Sequence, residues 1–141
     1  MKNVLDAFVN LREEVLPVES TTRISGLSVP FDIDASLALR LARKHQGMVL
    51  GVSDAEVFKA QRLLLRTEGV YSEPAGATAF AGYRKALANG TIGQTERAVC
   101  LVTGSGFKDP LSIHEAASGT ESPTVSYTDV LGELHRLAST R

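Results

Sequence analysis

Apolar positions along the chain switch between helical and extended spacing, and the switches mark its elements. Val4, Leu5, Phe8, Val9 and Leu11 recur at the intervals of an amphipathic helix, followed by Arg12, Glu13 and Glu14 before Pro17 ends the pattern. Ser20 to Pro30 is polar and broken by Gly26 and Pro30, so it reads as a loop. Asp32 or Asp34 can cap a second helix over Ala35 to Lys44, with Leu37, Leu39 and Leu41 buried in part and Gly47 as its left-handed stop. Met48 to Val52 is a short apolar strand. Ser53-Asp54-Ala55-Glu56 is a capping box opening a helix to about Thr67. Val57, Ala60, Leu64 and Leu65 share one face of it, Lys59, Gln61, Arg62 and Arg66 lie mainly elsewhere, and Gly69 closes it. Val70 to Ser72 is a brief extended piece. Glu73-Pro74 opens the next helix, where a ring without an N–H suits the first turn and a carboxylate suits the dipole, and Asn89-Gly90 ends it. Ala98 to Val102 then runs straight into Thr103-Gly104-Ser105-Gly106, the pattern of a strand buried on both faces with a small polar mouth. Thr128 or Asp129 can cap a last helix through Leu131, Leu134, Leu137 and Ala138.

Strands alternating with helices imply an α/β fold, a three-layer sandwich around a small parallel sheet of about three strands. Residues 1–117 form this unit, 118–127 are Gly/Ser/Thr/Pro-rich and linker-like, and 128–141 carry the C-terminal helix. In such sheets ligands sit at the carboxyl ends of the strands, where the Thr103–Gly106 loop falls.

Composition narrows the function classes. The chain has 141 residues, with 15 basic against 16 acidic, so no broad footprint for nucleic acid or an anionic membrane follows. No apolar run approaches the ~20 residues that span a bilayer, and no secretory signal pattern opens the chain, which makes the cytoplasm the default setting. The single cysteine, Cys100, lies within the apolar run and reads as a buried inert thiol. His45, His114 and His135 stand apart from any ligand-spaced group, so no metal site is expected. No nucleophile elbow, Walker loop or dinucleotide glycine pattern occurs in context. On composition alone the Thr103–Gly106 loop could equally be a turn leaving a strand, and Glu73 a cap carboxylate.

Two stretches decide more. Val52-Ser53-Asp54-Ala55-Glu56 with Thr67-Glu68-Gly69-Val70-Tyr71-Ser72-Glu73-Pro74-Ala75-Gly76-Ala77, and Val99-Cys100-Leu101-Val102-Thr103-Gly104-Ser105-Gly106-Phe107-Lys108-Asp109-Pro110, in this order and separation, resemble the C-terminal part of threonine synthase. That family belongs to the tryptophan-synthase-β-like, fold type II pyridoxal-phosphate enzymes. The resemblance covers roughly Ser20 to Pro110 and implies that residues 1–117 are a partial C-terminal, Rossmann-like domain of such an enzyme. It implies cofactor contacts at Thr103, whose hydroxyl would meet the pyridine nitrogen, at Gly104, and near Glu73. A neutral hydroxyl there suits elimination and replacement at the β or γ carbon. Where many threonine synthases carry His between the two glycines, this chain has Ser105.

The family's Schiff-base lysine and phosphate-cradling glycine loop lie upstream of these motifs and find no counterpart here. Lys108 follows a strand in the second motif and reads as structural or at the rim. No catalytic residue is therefore assigned. The chain is expected to be a fragment of a pyridoxal-phosphate-dependent lyase, inactive alone, that converts O-phosphohomoserine to threonine and phosphate when complete. A related dehydratase, ammonia-lyase or β-replacement enzyme is the alternative, and a non-catalytic, self-associating or partner-binding module is the rival from another class. The implied partners are an amino-acid substrate and a homo-oligomer, with no nucleic acid and no membrane.

Overall fold

A computed structural model describes residues 3–29, 31–110, 113–114 and 124–139. Its helices are α1 (Asn3–Val9), α2 (Ala35–Lys44), α3 (Asp54–Glu68), α4 (Thr78–Ala88) and α5 (Val130–Ala138). Short 3-10 turns occur at Ser25–Leu27, Ala75–Ala77, Gly106–Lys108 and Tyr127–Asp129. Of the linker-like stretch 118–127, residues 118–123 lie outside the described residues.

Two cores hold the helices. The larger joins Val57, Phe58, Ala60 and Leu64 of α3 to Ile24, Ala77 and Ala81, with Leu27, Val52, Ala75, Phe80 and Val102 against it. The smaller places Ala7 and Leu39 together with Val15, with Val4, Phe8 and Ala35 packed on them. Alanines in α4 and the turn before it let those backbones approach α3 closely, burying apolar area with little side-chain entropy to lose.

The helix ends follow capping chemistry, with two surprises. The Ser53 hydroxyl accepts from the Glu56 amide (3.3 Å), and Glu56 accepts from the Ser53 amide (2.6 Å), completing the capping box. Hydrogen bonds from the Ser53 amide, then from Lys85, hold the Glu56 carboxyl below the usual range against its partial desolvation. At α2 it is Asp32 that caps, accepting from the Ala35 amide (2.6 Å) and the Ser36 amide (3.2 Å). The left-handed residue that stops α2 is Gln46 (φ 53°), not Gly47. The Gly47 amide donates to Ala42 (2.7 Å) and the Gln46 amide to Arg43 (3.1 Å), the two bonds of a Schellman end. Helix α1 stops at Val9, short of the expected Glu14, because Leu11 turns left-handed (φ 54°) and the Arg12 amide donates to Ala7 (2.9 Å). Arg43 of α2 also donates to the carbonyls of Ala7 (2.9 Å) and Arg12 (2.7 Å), tying the two helices together.

The expected parallel sheet and three-layer sandwich are not formed among the described residues, whose β pairing is an isolated antiparallel bridge between Ser72 and Ser105. Val99–Val102 has no ladder neighbour among the described residues, and neither Met48–Val52 nor Val70–Ser72 pairs with it. Burial alternates along it: Cys100 and Val102 are half-buried, while Val99 (92% exposed) and Leu101 (75% exposed) face outward. The run expected to be buried on both faces is thus covered on one, because α3 and the Ala75–Ala77 turn pack under it and no described segment lies over it. Cys100 is correspondingly half-buried. In α5, Leu131, Leu134 and Leu137 are exposed, and no helix among the described residues is long and apolar enough to cross a membrane.

Candidate functional site

The two motifs meet. After Gly69 ends α3 in a left-handed turn (φ 67°), Tyr71-Ser72-Glu73 runs antiparallel to Gly104-Ser105-Gly106. The Glu73 amide donates to the Gly104 carbonyl (3.1 Å), and the Gly106 amide donates to the Tyr71 carbonyl (3.0 Å). The two bonds flank Ser72 and Ser105, which face each other as a non-hydrogen-bonded pair. Tyr71 covers the flank, its ring edge-on to Phe107 with centroids 5.1 Å apart. The Ser105 hydroxyl accepts from the Phe107 amide (3.4 Å) and so caps the turn that follows.

Small residues make this meeting possible. A methyl group on Gly76 would fall 1.6 Å from the Thr103 carbonyl oxygen, so the turn preceding α4 lies directly on the Thr103 backbone. Gly104 is left-handed (φ 67°), and a methyl group on it would fall 2.0 Å from the Glu73 carboxylate. Glu73 therefore folds against the Cα of Gly104. The Thr103 side chain is exposed at the same mouth, while Glu73 is half-buried. Thr103, Gly104 and Glu73, read from two separate motifs, thus stand side by side. Lys108 is exposed on the Gly106–Lys108 turn.

Sequence reasoning missed Gln61. It was placed off the buried face of α3, yet it is 0% exposed and its side-chain amide donates to the Ser72 carbonyl (2.7 Å). The signal was present, since Val57, Gln61 and Leu64 recur at helical intervals on one face.

A second concavity, about 750 Å³, lies between α1 and the start of α3, lined by Leu5, Val9, Thr22, Ser53 and Asp54 among others. It includes none of Glu73, Thr103 and Gly104. There Asp54 accepts from the Thr22 hydroxyl (2.6 Å) and the Arg23 amide (2.8 Å). Burial pushes the Asp54 carboxyl up, but these hydrogen bonds and the Arg23 charge outweigh it, so the group is held below the usual range. Among the described residues no group of three or more His, Cys, Asp or Glu is placed to hold a metal ion.

Comparison with known proteins places the chain in a family. The model of the pyridoxal-phosphate dependent enzyme family matches residues 3–104, and the chain belongs to that family. Among similar proteins, the threonine synthase of Methanocaldococcus jannaschii is 36% identical over 110 residues, covering 77% of this chain and 27% of that protein. The threonine synthase of Methanosarcina acetivorans is 40% identical over 93 residues, covering 66% of this chain and 22% of that protein. That of Halalkalibacterium halodurans is 41% identical over 73 residues, covering 52% of this chain and 21% of that protein. The chain therefore spans 21–27% of the length of these curated relatives.

The residues present fit part of a pyridoxal-phosphate site. The mouth offers an exposed hydroxyl at Thr103, while the Glu73 carboxylate and the Tyr71 ring take the space beside Gly104 and Gly106.

Proposed function

We propose that this chain forms one wall of the cofactor site of a threonine synthase-like enzyme and works as the C-terminal part of a longer catalytic unit. The observation that carries the reading is the pairing of Tyr71-Ser72-Glu73 with Gly104-Ser105-Gly106, which sets Glu73, Thr103 and Gly104 at one mouth. In this reading the Thr103 hydroxyl meets the pyridine nitrogen, and the Glu73 carboxylate, packed on Gly104, borders the pocket. Pyridoxal phosphate, when bound, supplies the electron sink for chemistry at the β and γ carbons of an amino acid. Because a threonine hydroxyl is uncharged, it orients the ring without fixing a proton on it. O-phosphohomoserine, which with water gives threonine and phosphate, is the substrate this reading favours. A dehydratase, ammonia-lyase or β-replacement enzyme would use the same wall.

No lysine of this chain is assigned the covalent role, which needs an amine held at the cofactor carbonyl. The uncovered face carrying Val99 and Leu101 supports cover by further polypeptide, in a larger catalytic unit or a homo-oligomer. A soluble amino-acid substrate suits a cytoplasmic setting.

Two measurements test the reading. Incubation of the chain with pyridoxal phosphate, borohydride reduction and mass mapping should give no stoichiometric adduct at a single lysine; such an adduct would overturn the reading that the lysine lies elsewhere. Grafted in place of the matching segment of the Methanocaldococcus jannaschii threonine synthase, the chain should support phosphate release from O-phosphohomoserine. Thr103→Val in that chimaera should weaken cofactor binding by about tenfold, the loss of one hydrogen bond in a partly dry site. Unchanged cofactor affinity and turnover would remove Thr103 from the site.

A further inference from the structure

In an antiparallel pair without mutual hydrogen bonds, each residue's own N–H and C=O point away from its partner strand. The Ser72 carbonyl therefore points away from Ser105, toward the side where a wider sheet would place another strand. Here α3 lies on that side, and the Gln61 side-chain amide takes the carbonyl at 2.7 Å. Gln61 is 0% exposed and Ser72 2% exposed, so water does not compete for this bond. The other end of the same side chain is poorly served: Gln61 Oε1 is buried with no hydrogen-bond partner among the described residues. The Ser72 hydroxyl is in the same state, so it is the Ser72 backbone that is held. An orphan oxygen in a core costs as much as a lost hydrogen bond, and a Leu or Met of similar volume would avoid that cost. What Gln contributes and those residues do not is a donor aimed at Ser72.

We infer that Gln61 is a positioning residue that substitutes for a missing neighbouring strand and sets the spacing between Glu73 and the Thr103–Gly104 loop. It pins the middle residue of a tripeptide whose two flanks clamp the other loop, through Tyr71 to Gly106 and through Glu73 to Gly104. The inference rests on the proposed cofactor wall only for its functional meaning; the strut itself is a statement about backbone order.

Amide hydrogen exchange on the full 141-residue chain tests it without cofactor. The amides of Glu73 and Gly106, which make the two clamp bonds, report the loop pair. The amide of Val57, bonded to Ser53 within α3, is the control. Gln61→Met should lower protection at Glu73 and Gly106 about tenfold while Val57 is unchanged. Gln61→Glu keeps the length of the side chain and donates only when protonated. Its protection at Glu73 and Gly106 should match the parent at low pH and step down as the carboxyl ionises, a profile the parent lacks. Parent-like protection in Gln61→Met, or a flat profile in Gln61→Glu, overturns the inference. If Gln61→Met also loses protection at Val57, the Gln61→Glu profile decides alone. Loss at Val57 in both variants makes Gln61 a packing residue and overturns the inference too. Failure here leaves the cofactor wall standing, because the adduct and chimaera experiments do not depend on Gln61.

Discussion

Gly76 has no room for a methyl group, and what it would strike is the backbone carbonyl of Thr103 rather than a side chain that could swing aside. Gly76→Ala should therefore destabilise the chain by about 1–3 kcal/mol, read as a lower urea midpoint, and separate the two loops. A midpoint equal to the parent's would show that the turn before α4 does not rest on Thr103. At this scale the site was partly legible. That Thr103, Gly104 and Glu73 stand side by side follows from the family resemblance of the two motifs taken together, not from the composition of either. The place of Gln61 on the buried face of α3 was legible from its spacing with Val57 and Leu64, but its role was not, because nothing in the local pattern shows that a carbonyl eleven positions later needs a donor.

Helix ends show how elements depart from the periodicity that suggests them. Three helices close with Schellman bonding, and only α4 does so on a glycine, Gly90 at φ 73°. Leu11 and Gln46 take the left-handed position in α1 and α2, where a side chain crowds its own carbonyl. Apolar spacing carries on through Leu11, so a reading of periodicity overshoots the true end at Val9. Leu11 is 80% exposed, and little packing opposes its replacement. Leu11→Gly should raise stability by about 1 kcal/mol in urea unfolding, because it removes the left-handed penalty and keeps the bond from the Arg12 amide to Ala7. A destabilised variant would mean that α1 does not end there. The strands fared worse than the helices. An apolar run states that a segment is extended and wants cover, but a ladder also needs a neighbour, which the run itself cannot specify.

The whole molecule is joined by a few polar ties between segments far apart in sequence. Arg43 binds the carbonyl end of α1, and Asp54 binds Thr22 and the Arg23 amide, fastening the loop of residues 20–28 to the start of α3. The Asp54 carboxyl is held lower in the folded chain than in the unfolded one. The unfolded chain therefore binds its proton at higher pH. Its contribution is complete above the ordinary aspartate range and is lost as pH falls through the folded value. Asp54→Asn should lower neutral stability by about 1 kcal/mol and make the acid decline shallower. An acid limb as steep as the parent's would assign that decline to other carboxylates. The helical part of the architecture was foreseeable, since capping boxes and glycines are local signals, and the meeting of the motifs only through the family resemblance. The extent of the sheet was not, because an apolar run does not specify the neighbour a ladder needs.

The bridge between Ser72 and Ser105 has a kinetic meaning as well. It closes a long loop whose interior is α4 and the exposed link after Gly90, so the entropy of closure comes due before its few bonds form. Docking of α4 on α3 is local by comparison and can come first. The mouth that carries Thr103 is thus expected to be the last part of this unit to assemble and the first to open. A bound ring spanning both loops would be a staple on the slowest step of its own folding.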